Sequence, residues 1–201
     1  MEQTKQYEYV DLGLPSGLKW AKCNVGAEKE TDYGDYFMWG STKPNAKTTC
    51  NWAKNPFNNN SSIYNEEYFN AHKSEWLDDK DNLKSEFDAA TQIMGGNWRM
   101  PTRDEIQELL DNTDNERDTI NGVNGWKFTS KTDTSKYIFI PAAGLCGGGS
   151  VGSVGSYGSV WSSSLDTSYH SNAWNLYFDS GDCYVSNFYR CGGQSVRGVR
   201  K

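Results

Sequence analysis

The sequence predicts a single α+β domain on three observations: 201 residues suit one fold, short strand-like segments occupy both ends, and one well-signalled helix lies between them. A chain of this length can bury roughly 70% of the surface its unfolded form exposes. Mean hydropathy is −0.80, and 36% hydrophobic residues would hint at disorder. The 8 Trp, 12 Tyr and 8 Phe argue for folding, because they supply large apolar area that disordered chains lack.

The elements follow in order. Residues 9–12 and 18–23 read as extended segments joined by the turn Leu14-Pro15-Ser16-Gly17. Tyr36-Phe37-Met38-Trp39, closed by Gly40, is a further extended piece. Residues 41–87 read as an irregular insertion: 41–65 are rich in Asn, Ser, Thr and Lys without a dependable period. The acidic clusters Glu66-Glu67 and Asp78-Asp79-Lys80-Asp81 fit a solvated face. A helix starts after Thr102, with Glu105 placed to close a capping box and Ile106, Leu109 and Leu110 on one face. Residues 122–129 and 137–140 read as a strand pair, and 195–200 as a short final strand.

Charge and cysteine usage narrow the function classes. A net charge of −6 with no basic block removes the counterion-release affinity that drives nucleic-acid binding, so nucleic acid is not an expected partner. No run approaches 18 apolar residues, so no membrane span is expected. The first seven residues lack the apolar run of a signal peptide. An exported form would need its leader outside this sequence. Cysteines stand at 23, 50, 146, 183 and 191 with no C-x-x-C pair and only His72 and His170 to assist, so neither a metal nor another cofactor is expected. The odd count suits thiols, with a bridge between Cys183 and Cys191 left open.

Catalytic signals are weak. Ser162-Ser163-Ser164 lacks the glycine frame of a nucleophile elbow, and Gly147-Gly148-Gly149 is not followed by the Lys-Ser/Thr of a phosphate loop. Asp111, Asp114, Glu116 and Asp118 match neither a helical ligand pair nor a calcium loop, and His170 has no base partner in sequence. The expectation is a protein that is not an enzyme.

The composition changes sharply near residue 145. Thirteen Lys and eleven Glu occur up to Lys136, yet neither occurs in the 49 residues from Leu145 to Gly193. That tract holds nine Gly, eleven Ser and five Tyr. A Gly/Ser tract is ordinarily a flexible linker, but Trp161, Trp174, Leu176, Phe178 and Val185 punctuate this one with core-sized anchors. Tyr offers rigid contact area while Ser, Gly and Asn offer adaptable hydrogen bonds, the mixture of antibody-type binding surfaces. Strand parity puts Trp174, Leu176 and Phe178 inward with Asn175, Tyr177 and Asp179 outward. By the same rule Val185 points in, opposite in parity to Asp182, Tyr184, Ser186 and Phe188.

Six segments in order carry a resemblance: residues 9–21, 33–40, 95–102, Ile140-Pro141-Ala142-Ala143-Gly144, Val160-Trp161-Ser162-Ser163 and Gln194-Ser195-Val196-Arg197. Together they resemble the bacterial major paralogous domain first named from Fibrobacter succinogenes. The likeness spans 9–40 and 88–201 and leaves out 41–87. It implies a C-type lectin-like fold of the formylglycine-generating-enzyme subtype, within an α+β class. Within that group the chain looks like the variable proteins of diversity-generating retroelements, whose C-terminal region is mutated at template adenines. An Asn codon so mutated cannot yield Lys, Glu, Gln, Met or Trp, which matches a tract devoid of Lys, Glu, Gln and Met.

The resemblance implies a receptor-like protein that binds an unknown macromolecular target, protein or surface glycan, at a cell surface or on a phage particle. Contacts would come from Tyr157, Ser159, Asp166, Tyr169, His170, Tyr177, Asp179, Asp182, Tyr184, Ser186, Phe188, Tyr189 and Cys191. Trp98, Trp161, Trp174, Leu176, Phe178, Val196 and Val199 would belong to the core. The alternative is a structural or adhesive domain of the same fold that was never diversified. Two related activities fit less well. The Glu-Pro-Asn and Trp-Asn-Asp calcium motifs of sugar-binding lectins are not reproduced, since Leu176 follows Trp174-Asn175. The oxidase relatives' cysteine pair invites comparison with Cys183 and Cys191, but the surrounding pattern is missing.

Overall fold

The two ends of the chain meet in one sheet. In the computed structural model, which describes residues 6–45 and 49–201, β1 (Tyr9–Asp11) pairs antiparallel with β2 (Lys19–Ala21), as the Pro/Gly turn predicts. On its other edge β2 takes the last strand, placing Trp20 opposite Val199. Residues 1–5, which bear on the leader expectation, and 46–48 of the insertion lie outside the described residues.

The insertion is not the irregular surface segment the sequence suggests. It contains α1 (Glu66–Trp76), whose Asn65 side chain accepts the Tyr68 N–H as a cap, so Glu66-Glu67 form the acidic first turn of a helix. Phe57, Phe69, Trp76, Leu77 and Leu83 from this stretch are buried with Trp39, Trp98 and Trp161 in one apolar cluster. The Phe57 and Trp76 rings stack with centroids 4.5 Å apart. The period is lost on inspection because α1 has polar residues on most of its turns and buries only Phe69 and Trp76.

A short helix, α2 (Ala89–Met94), precedes α3 (Arg103–Asn112). The capping box expected there is present: Thr102 Oγ1 accepts the Glu105 N–H while Glu105 accepts the Thr102 N–H. Ile106 and Leu109 are buried, as their spacing requires. The following strand, β3 (Thr113–Ile120), carries Asp114, Glu116 and Asp118, residues whose spacing alone suggests no element. It is legible only through its turn. Asn121-Gly122, both at positive φ, joins β3 to β4 (Val123–Ser130) as a two-residue hairpin, and β4 then pairs with β5 (Tyr137–Pro141).

The compositionally distinct tract is ordered strand. Gly148-Gly149 turn the small hairpin β6 (Leu145–Gly147) and β7 (Ser150–Gly152), which accounts for the glycine run. Beyond it, β8 (Gly158–Leu165), β9 (Asn172–Phe178) and β10 (Cys183–Tyr189) form an antiparallel sheet in the order β10-β9-β8. Gly158 is required at its position, because a Cβ there would stand 2.2 Å from the Phe178 ring. A register shift between Trp161 and Leu165 frees Ser163, which donates its N–H to Pro101 and accepts from Leu83.

The last sequence motif does not extend as the predicted strand over 195–200. Only Val199–Arg200 are strand (β11), while residues 192–199 are all buried and bridge successive parts of the fold. Gly193 pairs with Cys146, Gln194 with Phe37, Ser195 with Val160 and Val199 with Arg99. Arg197 donates to Asn24, to the Ala21 and Lys22 carbonyls and to the Phe139 carbonyl. The architecture is sheet-rich with three short α-helices among the described residues, an α+β arrangement. No helix among them is long and apolar enough to cross a membrane.

Candidate ligand-binding face

One side of the sheet β8-β9-β10 is covered and the other is partly open. On the covered side Leu176 and Phe178 join the cluster of Ile106, Leu109, Trp126 and Val160, with Val185 and Cys183 packed against it. Trp174, expected in the core, shares this parity but is only half-buried. Its ring lies beneath the Arg103 guanidinium, 4.5 Å away.

The other side begins with a register row, Ser159 opposite Tyr177 and Tyr177 opposite Tyr184. The rings of Tyr157, Tyr177 and Tyr184 run in a ladder at centroid spacings of 5.5 and 5.4 Å. Burial pushes the Tyr177 and Tyr157 phenols upward, keeping both neutral donors at physiological pH. The β9–β10 connection is held by Asp179, whose Oδ1 accepts the Gly181 and Asp182 N–H groups at 2.8 and 3.2 Å. Those two backbone bonds hold its carboxyl below the usual range. Its Oδ2 accepts from the Tyr177 hydroxyl at 3.5 Å.

A buried polar network lies under the next row. Asn175 Nδ2 donates to Ser159 Oγ at 2.7 Å and to Gln194 Oε1 at 2.9 Å, and Ser159 Oγ donates to the same Gln194 oxygen. Ser159, expected to face a ligand, is therefore buried at 3% exposure, because the Gln194 segment lies across it. Asp166 is the second correction, at 2% exposure. It accepts the Ser168 and Tyr169 N–H groups and the Asn187 amide, so it organises a turn instead of facing outward.

Of the remaining expected residues, Ser186 lies roughly 7 Å along β10 from Tyr184, while Tyr189 at the far end of the strand is roughly 15–20 Å away. Ser186 and Phe188 share the parity of Tyr184. Phe188, however, is partly buried against the insertion-side core. Tyr169 and Tyr189 are exposed at 66% and 55%, and Tyr184 at 47%. His170 bonds through Nδ1 to Asn70 of α1 at 2.7 Å. Cys191 is half-buried, and its thiol is pushed up to about 11 by burial. The face thus divides into a tyrosine end, with Tyr157, Tyr177, Asp179, Asp182 and Tyr184, and an insertion end.

Sequence reasoning missed the insertion's share. Trp52 stands 6.3 Å from the Tyr189 ring and 5.2 Å from Tyr64, so aromatic residues of the insertion border the far end. The signal was available: Trp52 and Tyr64 punctuate an Asn-rich segment just as Trp161 and Trp174 punctuate the later tract. Beneath them Arg190 is fully buried, its guanidinium carbon 4.0 Å from the Phe69 centroid and 5.5–5.9 Å from those of Tyr64, Trp52 and Trp39.

Cys183 and Cys191 cannot bridge. They stand at the start of β10 and just beyond its end, roughly 25 Å apart along an extended strand, whereas a disulfide needs Cα atoms within about 7 Å. Elsewhere a cleft of about 450 Å³ is lined by Tyr7, Glu8, Lys22, Cys23 and Glu30 among others, with no residue of 145–193.

Neither a curated protein nor a solved structure matches the chain significantly. A family model described as the Lcl C-terminal domain matches residues 13–200, which takes in the insertion as well as the motif-bearing segments. The chain belongs to the Lcl C-terminal domain family.

Proposed function

We propose that this chain is a non-enzymatic, ligand-binding domain whose residues 145–193 present a diversified surface on a C-type lectin-like scaffold of the formylglycine-generating-enzyme type. The observation that carries this reading is where exposed apolar bulk lies. Six large apolar side chains are exposed among the described residues, and four of them, Val154, Tyr169, Tyr184 and Tyr189, come from this one tract. Exposed apolar and aromatic side chains carried by the strands and loops of one tract, amid Ser and Asn, suit the recognition of a protein or glycan at a cell surface or on a phage particle.

Support against catalysis comes from the two cysteines that the oxidase comparison would use. Cys183 packs on the covered side, where burial pushes its thiol far above the ordinary range, and it is a whole strand away from Cys191. Support against calcium-dependent sugar binding comes from the burial of Asn175, only 2% exposed, with its Nδ2 donating to Ser159 and Gln194.

The test is the sequence of the gene's surroundings and of its 145–193 codons in a bacterial population. Diversification predicts a near-copy of this segment nearby that differs mainly at adenines, a reverse transcriptase gene beside it, and variation concentrated at the codons that align with those adenines, Tyr177 and Tyr184 among them. A solitary, invariant gene would favour the adhesive reading.

A further inference from the structure

Cys50 and Cys146 are 96 positions apart in sequence, yet both are buried in one small cluster with Tyr36, Met38 and Ala143. The backbone brings them together. Cys146 and Gly193 exchange N–H to carbonyl bonds at 2.8 and 2.7 Å, and the two cysteine side chains crowd the place a side chain on Gly193 would take. A Cβ on Gly193 would lie 2.4 Å from Cys50 Sγ, 2.9 Å from Cys146 Cβ and 3.5 Å from Cys146 Sγ. Both sulfurs therefore stand close to the same point beside the Gly193 backbone.

We propose that Cys50 and Cys146 form a redox-responsive pair that closes to a disulfide, with a low-molecular-weight disulfide such as oxidised glutathione as the oxidant. The thiolate of one cysteine attacks a sulfur of the oxidant and expels one glutathione thiolate. The second cysteine then attacks the mixed disulfide, forming the Cys50–Cys146 bond and releasing the second glutathione. The two cysteines lose two electrons and two protons, which leave on the two glutathione thiols. Burial pushes the Cys50 thiol upward, so exchange is slow near neutral pH and quickens as pH rises. The bridge would tie the segment entering the insertion to β6, at the entry to the 145–193 tract. Closing a loop of this length constrains the unfolded chain strongly.

Reduced full-length protein should be equilibrated with excess oxidised glutathione at pH 8, alkylated and mapped by mass spectrometry, with melting followed in parallel. The expected product has lost two hydrogens, yields a linked Cys50–Cys146 peptide, and melts about 10 °C higher until dithiothreitol reverses it. Cys191 also lies near Cys50. Cys191→Ser should therefore give the same bridge and the same shift, while Cys50→Ser and Cys146→Ser give neither. Glutathione adducts alone, a bridge through Cys191 or Cys23, or no change in mass after prolonged exchange would overturn the proposal. The wild-type and Cys191→Ser arms decide it even if the other variants fail to fold.

Discussion

Tyr177 and Tyr184 face each other across β9 and β10 with ring centroids 5.4 Å apart, outside the core that Leu176 and Val185 enter from the opposite parity. Their contribution to folding comes from ring–ring contact, about 0.5–1.5 kcal/mol per pair, and from the long bond of the Tyr177 hydroxyl to Asp179. The double variant Tyr177→Ala/Tyr184→Ala should therefore melt within a few degrees of wild type by calorimetry. Titration against a ligand selected on this face should show a loss of roughly 30-fold or more in affinity, since buried aromatic anchors at interfaces are worth about 2 kcal/mol or more.

Arg197 is the opposite case. It is fully buried, donates to three backbone carbonyls and to Asn24, and has no carboxylate partner among the described residues. Desolvation lowers its guanidinium to about 10, so the charge persists at neutral pH. Arg197→Met would leave buried carbonyls of β2, the following residue and β5 unmet. We expect a loss of about 3–5 kcal/mol in denaturant unfolding, with Arg197→Lys recovering only part because an ammonium cannot span all four acceptors.

Arg190 links the insertion to the end of β10. Its Nη1 donates to Asn55 at 3.2 Å, and the Asn55 amide returns a bond to the Arg190 carbonyl at 2.9 Å. Arg190→Gln should cost about 2–4 kcal/mol, and hydrogen exchange should quicken first in residues 50–70. Uniform quickening over all strands would show that the arginine supports the whole sheet instead.

Glu105 gives the pH dependence a sign. Burial alone would raise its carboxyl, but the Arg99 guanidinium, at 2.5 and 2.7 Å, and the Thr102 N–H pull it below the ordinary range. A folded-state value below the unfolded one means the contribution is complete above roughly pH 4.3 and is lost as pH falls through the folded value. Glu105→Gln should cost about 1 kcal/mol at pH 7, a figure discounted for the solvent reaching Arg99, and the difference from wild type should shrink below pH 4.

The elements whose local signals were read are the Pro/Gly turn, the Thr102–Glu105 box, and the alternation that sends Leu176 and Phe178 inward, whereas the Asn121-Gly122 turn that joins β3 to β4 went unread. What escaped depends on distant chain. Parity makes Ser159 and Asn175 outward residues, but parity cannot show that Gln194 lies over them. Asp166 looks like a surface acid until Asn187 and two backbone N–H groups are seen to need it. The insertion hid its helix because Phe69 and Trp76 bury themselves against Trp39 and Trp161, residues supplied from elsewhere in the fold.

The central claim is that a fixed framework carries an outer row free to vary. Two display libraries sorted by protease resistance test it, one randomised at Tyr157, Tyr177, Tyr184 and Ser186, the other at Ser159, Asn175 and Gln194. Most members of the first should resist as well as the parent, whereas the second should lose nearly all resistant clones. Equal losses in both would contradict the account.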